Sequence, residues 1–414
     1  MYTFNSFVDK NKFDRFVSSC ETASFFSYSV RKMIKEVDKR FRAYLTGIED
    51  DNGDLVAAAI LLYMPCKRIK TMRISYGPVL DYSNNVLLES FLLEIEKFSR
   101  CLKIDVIEIE PPFVIKKYDN KLNVIYENAT DIVPLFEKVG YSYLGLEDLG
   151  GNYQLRRTSV IDLGASEDEL FKRFSSSKRT SITKNDKYYK IRIVEGTKDD
   201  LKYLVKYRNQ LSEKKDFFVE PLSYYENYYE LANREHKAKV VKIVLNVDDA
   251  IGNLNDDLDI LKRKTLSARE KELNSLNSQI ESLEKRMDEL RIYKDENSCV
   301  GDYVIGCAFR VYCKDTMVNL FAHVDKTLFN IGASNVLVYN MMLDAKNSGY
   351  KYNDLYGLPN PFDKDSLDYS VGVFKLDFGG DVIEYIGVFK KVLNKNRYKL
   401  FNFLCSMRNK LNIK

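Results

Sequence analysis

The chain has no tryptophan, so every aromatic contact must come from its 29 tyrosines and 24 phenylalanines. It has only two histidines, His236 and His323, which lie far apart in sequence and give poor support to a transition-metal site. Both are expected to be structural. Its seven cysteines are odd in number and form no C-x-x-C pair, which argues against a disulfide framework and against a zinc ribbon. No run approaches the roughly 20 apolar residues of a membrane span. "MYTFNSFVDKNKFDRF" carries acids where a signal peptide would have a basic and then an apolar stretch, so export is not expected and a cytoplasmic protein is. Metal is not expected to take part in whatever chemistry the chain performs.

What is present is an ordinary globular composition, 45% hydrophobic and 30% charged, in 414 residues. That length exceeds what one hydrophobic core usually serves, so at least two domains are expected. The net charge of +4 is small, but basic residues are unevenly placed. Residues 388 to 414 contain eight Lys or Arg and no acid, interleaved with Leu, Phe and Tyr, the pattern of a basic amphipathic helix on an anionic membrane surface. A second cluster, Lys178, Arg179, Lys184, Lys187, Lys190 and Arg192, is a candidate phosphate or nucleic-acid surface. A solvated helix face is the plainer reading of each.

"GDLVAAAILLY" and "RIKTMRISYGPVLDY" read as strands, followed by a helix, "NVLLESFLLEIEKFSRCLK", and a strand, "IDVIEIEPP". The order returns in "YVIGCAFRVYC", "TMVNLFAHVD", "GASNVLVYNMMLDAKNSG" and "YKYNDLYGLP", a weak internal duplication of an α+β unit. Between the halves, Ile251, Leu254, Leu258, Leu261 and then Leu273, Leu276, Ile280, Leu283, Met287 and Leu290 recur by threes and fours, broken near "KTLSAR". This predicts an antiparallel helical hairpin inserted in the second half. Near the C-terminus, "VGVFKLDFGG" reads as a strand, with Phe374, Leu376 and Phe378 on one face and Val371, Val373, Lys375 and Asp377 on the other.

Seven blocks in order resemble the FemABX group of non-ribosomal peptidyl transferases: "SFFSYSVRKMIKEV", "ISYGPVLDY", "VIEIEPPF", "FSSSKRTSITKNDKYYKIRI", "SEKKDFFVEPLSYYENYYEL", "GYKYNDLYGLP" and "VGVFKLDFGG". The resemblance implies a mixed α+β fold of two acetyltransferase-like domains with an antiparallel coiled-coil arm inserted in the second. The expected domains are 1–155, with the tail 383–414 returning to it, and 156–245 with 300–382, the arm being 246–299. The chain departs from the group at Lys214 and Glu220, where arginines are frequent, and at Arg31, where tryptophan is common.

The activity so implied is transfer of glycine, alanine or serine from aminoacyl-tRNA to the side-chain amine of a peptidoglycan stem peptide. The acceptor would be lipid II or UDP-MurNAc-pentapeptide, lipid II being favoured by the basic tail. Because the acyl group arrives activated as an ester, no cofactor is needed. The resemblance makes Lys375 the cation that stabilises charge developing in the transition state and Phe374 its neighbour, although alternation favours a packing role for Phe374. A base is also needed, and Asp377, Asp354 and a substrate carboxylate all remain open. Lys35 is implied on the diphosphate side, with Arg179 and Lys214 as further phosphate contacts, and Tyr76, Tyr225 and Tyr356 are candidates for the substrate groove. The protein would work at the inner face of the plasma membrane, with a homo-oligomer left open. The competing readings are an acyl-CoA-dependent transferase, for which the usual pyrophosphate loop is missing, and a non-catalytic tRNA- or membrane-binding relative.

Overall fold

The computed structural model describes residues 2–64, 68–145, 154–215, 218–235, 237–366 and 368–410, without the side chains of 214, 215, 329 and 408–410. His236 therefore lies outside the described residues, and Lys214 is placed only as a backbone position in the helix Leu201–Lys215. Two compact units emerge. The first comprises residues 1–160, 355–376 and 380–414, and the second residues 161–354 and 377–379.

In the first unit the strands Arg42–Glu49, Leu55–Tyr63 and Thr71–Ser75 run antiparallel, and Thr71–Ser75 then pairs in parallel with Val106–Glu110. Leu55–Tyr63 is nearly all apolar and buried on both faces, as a central strand requires. The parallel connection is the helix Asn85–Cys101. Asn84 caps it, its side chain accepting from the Leu87 amide at 3.0 Å. Leu87, Leu88, Phe91, Leu92 and Ile95 fall on one helical face and fill the core beneath the sheet. The tail rejoins this sheet, Phe389–Val392 pairing antiparallel with Val106–Glu110, and the Phe389 ring stacks 3.9 Å from Phe136. A second ladder of the unit pairs Arg157–Asp162, Asp381–Tyr385, Val114–Tyr118 and Val124–Glu127. Its buried ion pair, Arg157 with Glu384 at 2.5 Å, is extended by the Tyr118 hydroxyl donating to Glu384.

The second unit repeats the pattern. Ala238–Asn246, Asp302–Cys313 and Thr316–Val324 run antiparallel, and Thr316–Val324 pairs in parallel with Tyr352–Asp354 after the helix Ala333–Asn347. Gly332 precedes that helix at φ +72°, and a Cβ there would lie 2.0 Å from Ser181 Oγ, so only glycine fits. The same strand-strand-helix-strand order with the same pairing senses accounts for the repeat visible in the sequence. The fold class is mixed α+β.

Between Ala238–Asn246 and Asp302–Cys313, the helices Val247–Thr265 and Glu270–Asn297 pack on each other. Leu254, Leu258 and Leu261 are buried in one cluster with Leu283, Met287 and Leu290, each side chain contributing about 1.5–3 kcal/mol relative to exposure. At the far end Leu266 is 88% exposed, and at the root the buried Tyr293 hydroxyl donates to Asp325 at 3.0 Å.

One expected element is different. Residues 369–376 are a helix, Tyr369–Leu376, and not a strand. Phe374, Leu376 and Lys375 are half-buried, whereas Val371 and Val373 are exposed and Gly372 is buried, so the period of two fails. Gly372 is buried beside the Pro359 carbonyl, where an added Cβ would make an ordinary contact at 3.5 Å. The chain leaves the helix through Gly379 at φ +74°, and only Asp381–Tyr385 is extended.

Candidate functional site

In the first unit several motifs singled out from the sequence meet at one place, built on two strained tyrosines. Tyr76 follows the strand Thr71–Ser75 with φ +54°, and Tyr356 sits in the turn after Tyr352–Asp354 with φ +57°. A left-handed backbone costs a non-glycine residue about 1–2 kcal/mol, so both turns must be held by their surroundings. Phe26 bridges them: its ring stacks on Tyr76 at 4.9 Å and lies 5.4 Å from Tyr356. Tyr385 packs in a T-shaped arrangement with Tyr76, ring centroids 6.4 Å apart. The Ser27 hydroxyl donates to the Tyr76 carbonyl at 2.9 Å, and the Tyr356 hydroxyl lies 3.2 Å from Gln154 Oε1, to which it donates.

Lys375 is aimed at the second turn. Its Nζ donates to the carbonyls of Tyr356 at 2.5 Å and Gly357 at 2.6 Å. The same turn is pinned by the Leu355 amide on Ser159 and the Leu358 amide on Arg157. An ammonium clamped by two carbonyl dipoles is a cation of fixed position, the property that electrostatic stabilisation of a transition state needs.

Arg31, at the position where the resembling group commonly has tryptophan, does the work of an aromatic. Its guanidinium lies over Phe26 at 5.7 Å and over Tyr76 at 5.8 Å, and it donates to the Ser75 carbonyl at 3.2 Å. Beside it Lys32, Lys35, Arg73 and Ser75 line a small cleft, in which Lys32 is paired with Glu36 and Arg73 with Glu108 at 3.3 Å. Tyr76, Glu110, Gln154, Arg156 and Tyr385 line a second cleft of about 30 Å³. Glu110 accepts from the Ser75 hydroxyl at 2.5 Å and from the Gln154 amide at 2.7 Å.

The first unit thus gathers Lys35, Tyr76, Tyr356, Phe374 and Lys375 among the residues singled out from sequence. Sequence reasoning did not select Phe26, Arg31, Glu110, Gln154 or Tyr385. Glu110 was within reach, because "VIEIEPPF" ends in an acid before two prolines, a place where a strand stops and a side chain is displayed. Gln154 carried no signal.

The remaining candidates belong to the second unit. Arg179 is turned inward and donates to the carbonyls of Lys172, at 3.1 Å, and Phe174, satisfying the end of the helix Glu167–Arg173. Asp377 lies 3.8 Å from Lys178, whose ammonium also sits 5.5 Å over the Phe378 ring. Burial of Lys178 lowers its pKa, and Asp377 partly restores it. Asp377 therefore does not share a strand face with Lys375; it follows the helix, in a turn, with Lys178 as its neighbour. Asp354 ends the strand Tyr352–Asp354 opposite Val318. Tyr225 is fully buried, edge-on to Phe321 at 5.2 Å, which places it in the core of the unit. Among the described residues no group of three His, Cys, Asp or Glu could hold a metal ion.

Comparison with known proteins bears on what such a site is for. Aminoacyltransferase FemB of Staphylococcus epidermidis is 28% identical over 412 residues, covering 97% of each chain. Aminoacyltransferase FemA of Staphylococcus aureus is 25% identical over 416 residues, covering 94% of this chain and 95% of that one. The crystal structure of FemX superposes with a TM-score of 0.73 at 21% identity, over 97% of this chain and 99% of its own, which establishes likeness of fold. The FemAB family model matches residues 8–406, nearly the whole length, and the chain belongs to the FemAB family.

Proposed function

We propose that this protein is an aminoacyltransferase of cell-wall synthesis. It transfers glycine, alanine or serine from aminoacyl-tRNA to the side-chain amine of a peptidoglycan stem peptide, with lipid II as acceptor. The observation that carries the reading is Lys375 clamped on the Tyr356 and Gly357 carbonyls beside the Tyr76–Phe26–Tyr356 aromatic stack, in a FemAB-family chain. The acceptor amine attacks the ester carbonyl carbon. A C–N bond forms, the C–O bond to ribose breaks, the amine gives up a proton and the ribose oxygen takes one.

Negative charge develops first on the carbonyl oxygen and then on the ribose oxygen, and Lys375 is assigned to stabilise it. Removing one such donor typically costs about 10²- to 10³-fold in rate. The proton acceptor is sought among Asp377, Asp354 and a carboxylate of the substrate. Lys35, with Arg31 and Arg73 around its cleft, is assigned to the acceptor diphosphate.

No helix among the described residues is long and apolar enough to cross a membrane. The C-terminal helix Lys395–Lys410 carries Leu400, Phe403, Leu404 and Met407, all exposed and spaced along one helical face, with Lys395 and Lys399 nearby. That supports peripheral docking on an anionic membrane, where a lipid-linked acceptor is found.

The test is transfer of a radiolabelled amino acid from charged tRNA to lipid II by the full-length protein. Transfer by the wild type and its loss in Lys375→Ala are expected. If the wild type labels neither lipid II nor the nucleotide-linked precursor, the enzyme reading fails; equal rates in wild type and variant would remove Lys375 from its role.

A further inference from the structure

Strand register in the first unit sets the two ends of its central sheet against each other. Arg42, Tyr63, Thr71, Val106 and Val392 lie at one end, and Glu49, Leu55, Ser75, Glu110 and Phe389 lie toward the other. The Tyr76 turn follows Ser75 and so belongs to the second end, where Asp51 and Asp54 are exposed in the turn between Glu49 and Leu55.

The connections at the first end are basic. Lys39 and Arg42 enter the strand Arg42–Glu49, Arg68 precedes Thr71–Ser75, Lys103 precedes Val106–Glu110, and Lys395 and Lys399 follow Phe389–Val392. All six are exposed, and none has an ion-pair partner among the described residues. The acids described in these connections are already taken up, Asp38 by Arg40 at 2.7 Å and Asp105 by Arg397 at 3.2 Å. Neighbouring strands at about 4.8 Å spacing spread the cations over roughly 20 Å. A net charge of only +4 over the chain thus conceals a local positive field.

Apolar side chains are displayed at the same end. Val37 and Met64 are exposed in two of the connections. The helix Lys395–Lys410 is tied there at its start, where the Leu393 and Asn394 amides donate to the Asp105 carbonyl and Arg397 donates to the Arg68 carbonyl at 2.9 Å. Its exposed Leu400, Phe403, Leu404 and Met407 therefore start out from this end. Nucleic acid would engage the cations and leave these side chains in water, whereas the headgroup boundary of an anionic bilayer engages both.

We infer that this end of the sheet is the face the first unit lays on an anionic bilayer, with the strand Thr71–Ser75 rising from it and the Tyr76 turn at the far end. The inference rests on the proposed docking of the C-terminal helix, and it adds an orientation and three further contact segments. At about 3.3 Å per residue, Arg73 of the Lys35 cleft stands roughly 7 Å beyond Thr71, and Tyr76 roughly 16 Å. A headgroup layer is about 5–8 Å deep in each leaflet. A lipid-linked diphosphate in that cleft stays near headgroup level while its stem peptide extends toward Tyr76.

The chain contains no tryptophan, so a single introduced indole reports its own depth. Full-length Met64→Trp and Asp54→Trp proteins are mixed with phosphatidylglycerol vesicles brominated near the headgroup. Loss of fluorescence is expected for the first and none for the second. Lys39→Glu/Lys103→Glu, on elements other than the C-terminal helix, should weaken vesicle binding about tenfold or more at low salt, because each basic residue near an anionic surface contributes about fivefold. The loss should shrink at high salt. Asp51→Lys/Asp54→Lys should leave vesicle binding unchanged, and thermal unfolding checks that both proteins are folded. Equal quenching of the two indoles would overturn the inference, as would unchanged vesicle binding by Lys39→Glu/Lys103→Glu, whether or not that variant loses tRNA. Oriented quenching in a protein that labels only the nucleotide-linked precursor upholds the orientation and removes lipid II from the proposed function. Transfer to lipid II without oriented quenching overturns the orientation alone.

Discussion

Lys375 and Tyr356 are joined by a 2.5 Å hydrogen bond from ammonium to main-chain carbonyl, and the residue that accepts it is held at φ +57°. One contact thus fixes the cation and also helps to hold a strained turn whose ring packs on Phe26. The two roles separate experimentally. Lys375→Met should lower kcat by about 10²- to 10³-fold. Lys375→Arg keeps the charge but cannot reproduce a compact ammonium on two adjacent carbonyls, so it should recover only part of the rate. Single-turnover kinetics beside thermal unfolding checks this: a purely structural lysine would lower Tm and leave the rate of the folded fraction unchanged.

Lys35 faces the cleft rimmed by Arg31, Lys32 and Arg73. A charge-assisted hydrogen bond to phosphate is worth about 1.5–3 kcal/mol, so Lys35→Ala should raise the acceptor Km about tenfold or more while kcat stays within a few-fold. Steady-state kinetics with the acceptor varied at saturating donor gives the answer. A fall in kcat at constant Km would exclude a binding role.

How much of this was legible from sequence depends on whether the signal was local. The hairpin could be read because Leu254, Leu258, Leu261, Leu283, Met287 and Leu290 carry their periodicity in the chain itself, and all six are buried where it placed them. Tyr76 was visible through the "YGP" turn. The helix Tyr369–Leu376 was not, because Val371, Val373 and Phe374 favour strands in isolation and β-propensity yields to packing context. The packing that buries Gly372 beside Pro359 is tertiary. Arg31 could be noticed as an unusual residue, but its place against Phe26 and Tyr76 depends on residues 44 and 45 positions further on, which no spacing rule connects.

Arg310 is fully buried in the strand Asp302–Cys313, and it donates to Asp344 at 2.7 Å and to the Met341 carbonyl at 2.6 Å. Burial pulls its pKa down to about 10, so it remains charged at neutral pH. Asp344→Ala would leave that buried cation without its carboxylate and should destabilise the protein by about 3–5 kcal/mol. Arg310→Met, which removes the charge and keeps the bulk, should cost less. Urea unfolding of both variants ranks them; the reverse order would show that the packing of Arg310 outweighs its charge.

His323 is pushed down to about 4 by burial first and by the nearby Arg208 and Lys326 charges second. It is neutral in the folded protein at pH 7, whereas in the unfolded chain it takes up a proton near pH 6.5. Its folded pKa is the lower of the two, so its contribution is complete above about pH 6.5 and is lost as pH falls toward about 4. The difference corresponds to something on the order of 3 kcal/mol. His323→Gln cannot titrate, so its stability relative to wild type should improve steadily on going from pH 7 to pH 4.5. Urea midpoints at matched pH test this, and a constant offset between the two proteins would show that His323 does not titrate on unfolding.

The C-terminal helix leaves Phe403 60% and Leu404 52% exposed, in line with Leu400 and Met407, an arrangement that burial in the first unit does not explain. Arg397, by contrast, is tied down, pairing with Asp105 at 3.2 Å and donating to the Arg68 carbonyl. The helix is therefore anchored at its start and apolar beyond it. Docked on a bilayer, the apolar face would enter the headgroup boundary while the lysines meet anionic lipid. Phe403→Ser/Leu404→Ser should reduce retention on vesicles rich in phosphatidylglycerol by several-fold at low salt, without changing Tm, since these side chains contribute little to the folded core. Lys395→Gln/Lys399→Gln should reduce retention more at low salt than at high salt, as screening predicts. Retention of the Phe403→Ser/Leu404→Ser variant equal to wild type would remove the membrane from this helix, and with it the reason for preferring a lipid-linked acceptor over a nucleotide-linked one.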